Sequence, residues 1–192
     1  MSEAAPGPSD GRTRGFLWVT LAYLAALVVA LLVGIALHGR HPLVVVAVAD
    51  LAATGVVFGF GRAFGNSSFY DPYWSVAPVP IALYLALGPG LGDAVGARQV
   101  LVIALVLAWA VRLTHNWARG WAGLHHEDWR YVDLKAGGGI GAFVADLFGI
   151  HLFPTAIVFL GCLPLWPALA TGQAPLGVLD AVAAAVTATG IG

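Results

Sequence analysis

The polar residues that could do chemistry fall in two stretches of an otherwise hydrocarbon-like chain. Of the nine Lys and Arg and ten Asp and Glu residues, seven lie between Arg112 and Lys135, in RLTHNWARGWAGLHHEDWRYVDLK. On a helix, Arg112, His115, Asn116 and Arg119 would share one face, a donor-rich stripe suited to gripping a phosphate or carboxylate. Lipid headgroup contact, with Trp109, Trp117 and Trp121 as an interfacial belt, is the plainer expectation for the same residues. Glu127, Asp128, Arg130 and Tyr131 follow as HEDWRY, able to pair among themselves in an inner loop or to meet a polar ligand. The second stretch is NSSFYDPYWSVAPVP, Asn66 to Pro80, with Tyr70, Asp71, Tyr73 and Trp74 beside three prolines.

Asp50 stands apart, deep in an apolar run. An ionisable group there is costly and is expected to face a bundle interior, a partner or water, with Thr54 one turn on as a candidate hydrogen-bond partner. Metal chemistry finds little support. His38–His41 and His125–His126 fall on opposite predicted sides of the membrane, and there are only six histidines. The glycines of Gly137–Gly141 follow no strand, which makes them a flexible linker rather than a dinucleotide-type phosphate loop. Cys162, the single cysteine, excludes an internal disulfide and sits in no nucleophile motif.

The elements that must position these groups are membrane helices. Hydrophobic residues make up 59% of the chain and charged ones 10%, far from the roughly one quarter charged of ordinary soluble domains. The expected architecture is all-α: a polytopic transmembrane bundle of about six spans, near residues 16–37, 43–64, 74–88, 97–118, 149–170 and 175–192. Pro78 and Pro80 should disturb the entry to the third span, and Pro154, Pro164 and Pro167 should kink the fifth. Residues 1–15, rich in Pro, Gly and Ser, read as a disordered tail. Arg12, Arg14, Arg62, Arg112, Arg119, Arg130 and Lys135 fall on one side and Arg40 and Arg98 on the other. By the positive-inside rule this makes the amino terminus cytoplasmic, in a multi-pass protein of the cell (inner) membrane. Scattered basic residues and a net charge of −1 give no nucleic-acid footprint.

NSSFYDPYWSVAP, RLTHNWARGWAGLHHEDWRY and GIHLFPTAIVFLGCLPLWPAL, in that order, resemble a family of bacterial membrane proteins of unknown function grouped with the steroid 5-alpha-reductase C-terminal domain. The resemblance runs from about Asp50 to the end and implies a helical bundle related to enzymes that reduce a lipid-like enone with hydride from NADPH. It implies Tyr70, Asp71 and Tyr73 as catalytic candidates, with a tyrosine hydrogen-bonding the ketone and Asp71 orienting it. Arg112, Asn116, Arg119, Glu127, Asp128, Arg130 and Tyr131 become the cofactor-side candidates, and Asp50 and Trp74 the substrate-pocket candidates. Such relatives continue into an R-H-P-N-Y-type segment that nothing after Pro175 matches, and the run ending in TATGIG has no interfacial anchor. The expectation is therefore an amino-terminal part lacking the cofactor-binding segment. A non-enzymatic lipid or small-molecule binder or transporter, or an inactive fragment, stands as the alternative.

Overall fold

A computed structural model describes residues 8–88, 94 and 96–192. Helix α1 (Pro8–Ala36) and helix α2 (Pro42–Phe64) form an antiparallel hairpin. His41 caps α2, its Nδ1 accepting from the Leu43 amide at 3.3 Å, with Pro42 in the first turn, where its missing N–H is not needed. Gly65 ends α2 in the left-handed conformation, φ 63°, its N–H donating to Arg62, the usual use of a glycine at that position.

A 3-10 turn (Ser67–Tyr70) leads to the short α3 (Tyr73–Val76) and to α4 (Pro78–Leu87). Helix α5 (Gly96–Gly120) returns, and α6 (Trp129–Leu134) lies at its far end. Helix α7 (Gly139–Thr171) mixes α-helical turns with two π-helical segments, and α8 (Val178–Ile191) packs on α5.

Four of these helices, α2, α5, α7 and the Gly11–Ala36 part of α1, are long and apolar enough to cross a membrane. Their outward residues are those of a lipid-facing surface: Leu24, Leu32, Val100 and Val111 are more than half exposed. Tyr73–Leu87 and Val178–Ile191, expected as the third and sixth spans, are shorter helical pieces. Pro78 restarts the chain after the single turn of α3, so the segment is irregular at its entry, as the prolines suggest.

Two boundaries differ from expectation. Residues 8–15, read as tail, are the first turns of α1, while residues 1–7 lie outside the described residues. Tertiary docking overrides composition here. Arg12 Nη2 donates to the Ala118 carbonyl at 2.7 Å, and the Phe16 ring meets the Trp117 and Trp121 rings edge-on. The Gly15 backbone lies so close to Trp121 that a Cβ would sit 2.9 Å from the indole.

The second difference is that α7 starts at Gly139, ten residues before the expected 149. Gly138, at φ 65°, precedes it, so the glycine run is a turn into a helix rather than a flexible linker. The early start brings Asp146 into the bundle, where it lies buried beside His151.

The contacts sort the chain into two ends. The start of α1, the end of α2, the end of α5, α6 and the start of α7 share one, with Arg12, Arg62, Arg119, Arg130 and Lys135. The α1–α2 hairpin, Arg98 and the turn after α7 share the other, where the His41 ring lies 5.2 Å from that of Trp166.

Candidate functional site

A cavity of about 720 Å³ lies between α1, α2 and α4. Leu27, Leu31, Val45, Val46 and Ile81 make its walls hydrocarbon, while Asp50 and Tyr73 are its inner polar residues. Asp50 reaches this position because the face of α2 that carries Val46, Ala53, Thr54 and Val57 is turned inward at every helical turn. Tyr73 Oη donates to Asp50 Oδ1 at 2.7 Å and also approaches the Asp50 carbonyl at 3.1 Å. Among the described residues Asp50 Oδ2 has no hydrogen-bond partner, and it is buried even from the cavity. A buried carboxyl oxygen left unpaired is costly, so the carboxyl would gain from turning toward a polar group at the cavity floor.

Thr54 does not serve Asp50 as a side-chain partner. Its Oγ1 lies 2.7 Å from Thr155 Oγ1 of α7, and Tyr70 Oη lies 2.7 Å from the same atom. Thr155 has one hydroxyl proton, given to the His151 carbonyl at 2.9 Å. It must therefore accept from both Thr54 and Tyr70. The Tyr70 ring stacks on Tyr73 at 4.8 Å with a 16° interplanar angle, which fixes the second phenol behind the first. Tyr70 is fully buried and does not line the cavity.

Behind Tyr70, the π-helical turn Ala145–Leu152 brings Asp146 and His151 together. His151 Nδ1 lies 2.9 Å from the Asp146 carbonyl, an acceptor only, and 3.4 Å from Asp146 Oδ1, so Nδ1 carries a proton. Nε2 is buried with no partner among the described residues, and the ring sits against Tyr70 and Phe58 at 4.8 and 5.1 Å. Asp146 Oδ1 accepts from Ser67 Oγ at 2.7 Å, Ser67 Oγ accepts from Lys135 Nζ at 2.9 Å, and Arg62 approaches Asp146 Oδ2 at 3.6 Å. A buried polar column thus runs from the charged end of the bundle to the rear of the cavity floor.

Asn66 to Asp71 are built as a lock between helix ends. Asn66 Nδ2 donates to the Leu124 and His126 carbonyls at 2.9 and 3.0 Å, and its Oδ1 accepts from the Ser68 amide at 2.8 Å. Glu127 takes the Ser67 amide and Lys135. Ser68 Oγ accepts from the Asp128 amide at 3.0 Å. The absence of a Cβ at Gly61 allows this closeness, since one would meet the Asn66 carbonyl at 3.2 Å.

Asp71 belongs to this lock and not to the tyrosine pair. Burial pushes its carboxyl up to about 6 against the lowering effect of hydrogen bonds from Tyr131 and Ser68. Burial, then the nearby Asp71 charge, raises the Tyr131 phenol in turn. Asp128 caps α6 and chelates Arg130, with Nη2 to Oδ2 at 2.6 Å, and Arg130 holds its carboxyl below the usual range.

The sequence-predicted residues therefore divide. Asp50 and Tyr73 meet at the cavity, with Tyr70 stacked behind. Asp71, Glu127, Asp128, Arg130 and Tyr131 meet at the lock. Arg112, His115, Asn116 and Arg119 form an exposed stripe on α5, where Arg112 reaches the Gly192 carbonyl at 3.3 Å. Trp74 is separated from Asp50 and lines a second, more apolar cavity of about 490 Å³ with Trp109 and Cys162.

Sequence reasoning passed over Asp146, His151 and Thr155, and it counted Lys135 in the charged cluster without giving it a site role. The signal available for the first two was the argument that singled out Asp50, an ionisable group amid apolar residues.

An all-helical chain with four bilayer-length helices, a lipid-facing exterior and a buried polar interior is a multi-pass membrane protein. The chain belongs to the family described as protein of unknown function DUF1295, whose model matches residues 57–192. That family is related to steroid 5-alpha-reductase-like proteins. The match covers the lock, α5 and the Asp146–His151 column, and it leaves α1 and Asp50 outside. No curated protein and no solved structure matches the chain.

Proposed function

We propose that the protein is a membrane-embedded reductase of the steroid 5-alpha-reductase-like type, taking a lipid-soluble enone into the cavity between α1, α2 and α4. The observation that carries this is the pairing of Asp50 and Tyr73 at the inner end of a cavity with hydrocarbon walls, with Asp50 Oδ2 unpartnered among the described residues. A protonated Asp50, its carboxyl turned toward the cavity, would donate to the ketone oxygen. Tyr73, giving its own proton to Oδ1, holds the carboxyl in place and spreads the developing charge. Tyr70 acts by keeping the Tyr73 ring fixed, and Asp71 acts from the lock.

NADPH would supply the hydride. Among the described residues no side-chain carboxylate pairs with Arg112 or Arg119, and Arg112 gives only one N–H, to the Gly192 carbonyl, so these guanidinium groups, with Asn116, are the donors that fit its phosphates. Glu127, Asp128, Arg130 and Tyr131 fit less directly, being engaged in the lock, and would shape the face rather than grip the phosphates. The short segments Tyr73–Leu87 and Val178–Ile191 would complete six passes, with the amino terminus cytoplasmic and the basic end inside.

A second reading, a non-enzymatic binder or carrier of a lipid-soluble molecule, is favoured by one observation. Tyr73, the phenol at the inner end of the cavity, is committed to Asp50 and so is not free to donate to a substrate. Purified protein in nanodiscs, given NADPH and a panel of lipid-soluble enones, separates the two. The reductase oxidises NADPH only when an enone is present and loses this in Asp50→Asn. Enone binding with no NADPH binding or oxidation supports the carrier.

A further inference from the structure

The cavity has a second polar end. Asp50 and Tyr73 form its inner limit, while His38, Gly39 and Arg40 of the α1–α2 turn line it at the other, beside Trp166. Pro42 and Asp50 both line it on α2, and the helical rise between them separates the two ends by about 12 Å. Between the ends the lining is apolar: Leu31, Gly34, Val45, Val46 and Ala49 on the hairpin and Ile81 on α4.

Arg40 is exposed and, among the described residues, has no carboxylate partner. Arg98, at the same end of the bundle, is held by Asp180 at 3.0 Å. The cavity is thus bounded by the Asp50–Tyr73 pair at one end and, at the other, by a guanidinium without a carboxylate partner among the described residues, with hydrocarbon between.

We infer that the ligand of this cavity is an anionic amphipath: an apolar body with a hydrogen-bonding oxygen at one end, for Asp50, and a carboxylate or phosphate at the other, for Arg40. This rests on the cavity being the ligand site, as proposed above, and adds the charge and length of what enters it. A guanidinium suits either anion through paired N–H donors, and its place at the turn keeps the anion at the membrane surface while the body lies among the helices. The oxygen end is compatible with either protonation state of Asp50. A hydroxyl can donate to a carboxylate or accept from a carboxylic acid.

Binding of tritiated ω-hydroxydodecanoate to the full chain in nanodiscs of neutral lipid, compared with dodecanoate and dodecanol, tests this without cofactor or turnover. The ω-hydroxy acid should bind at least about tenfold tighter than dodecanol. Arg40→Gln should remove most of that advantage, weakening both carboxylates about tenfold and dodecanol less than about twofold. Arg40→Lys should restore part of it. Asp50→Ala should weaken the two hydroxyl-bearing probes and spare dodecanoate.

Equal affinity for all three probes, no measurable binding of the ω-hydroxy acid, or indifference to Arg40→Gln would overturn the inference. NADPH-dependent reduction of a neutral enone that persists in Arg40→Gln would overturn it too, while leaving the reductase proposal standing. A phosphate monoester of dodecane-1,12-diol in the same assay distinguishes the two anion sources.

Discussion

Replacing Thr155 by valine keeps the shape of the side chain and removes one hydroxyl, which in this structure serves three partners. Thr155 Oγ1 accepts from Tyr70 and Thr54, each at 2.7 Å, and donates to the His151 carbonyl at 2.9 Å. All of this occurs within a fully buried cluster. Two donors are orphaned at once. An unsatisfied buried hydroxyl costs about 1–3 kcal/mol, whereas hydrogen bonds within membrane bundles average nearer 0.6 kcal/mol because the unfolded chain finds other partners.

Thr54 can turn its proton toward a carbonyl of its own helix, but Tyr70, stacked on Tyr73, cannot move. The expected loss is therefore about 2 kcal/mol. Removing the orphans as well, in Thr54→Val/Tyr70→Phe/Thr155→Val, should recover stability to within about 1 kcal/mol of the wild type, since an apolar cluster of the same shape leaves nothing unpaired. Reversible unfolding in mixed micelles, followed by circular dichroism, measures both variants. A triple variant less stable than Thr155→Val would refute the argument, because the cost would then lie in lost packing and not in unpaired hydroxyls.

Other outcomes follow from the same geometry. Burial pushes the Asp71 carboxyl up to about 6 in the folded chain, against the ordinary aspartate value of about 3.9 when unfolded, so the folded state binds the extra proton between these values. Stability is then greatest below about pH 4, falls as pH rises toward 6, and stays lower above it, by at most about 3 kcal/mol. Asp71→Asn should flatten this dependence in the same unfolding assay.

Gly172→Ala should destabilise the turn after α7, because its Cβ would meet the Pro167 carbonyl at 2.6 Å, and limited proteolysis between α7 and α8 should accelerate. Arg98→Ala removes the ion pair to Asp180 and the contact to the Pro175 carbonyl at 3.2 Å. Faster cleavage at that turn, with α1 and α2 equally protected, is expected.

The long helices were legible because hydrocarbon runs of bilayer length leave one solution. Where the segments shorten, physical causes compete. Pro78 divides α3 from α4, and the start of α7 at Gly139 depended on a glycine at φ 65° that composition reads equally well as a linker. Residues 8–15 look disordered alone and become helical because Arg12 and Phe16 find partners on α5, more than a hundred residues away in sequence.

Asp50 was conspicuous as an isolated acid in an apolar run. Its partner was not: Tyr73 and Asp71 are adjacent in sequence motif but diverge in space, one toward α2 and the other toward Tyr131. His151 stayed hidden because its value comes from a π-helical turn that aligns it with Asp146 five residues earlier, a register no α-helical pattern suggests.

The central claim is that the cavity ending at Asp50 and Tyr73 binds a lipid-soluble molecule. Photolabelling with a benzophenone-bearing alkyl alcohol in nanodiscs, with adducts mapped by mass spectrometry, addresses it directly. Saturable labelling of Leu27–Ile35, Val45–Ala49 or Ala77–Tyr84 is predicted, and it should be lost in Ala49→Trp, which fills the cavity. Labelling confined to lipid-facing residues such as Val178 and Leu179, or unchanged by Ala49→Trp, would contradict it.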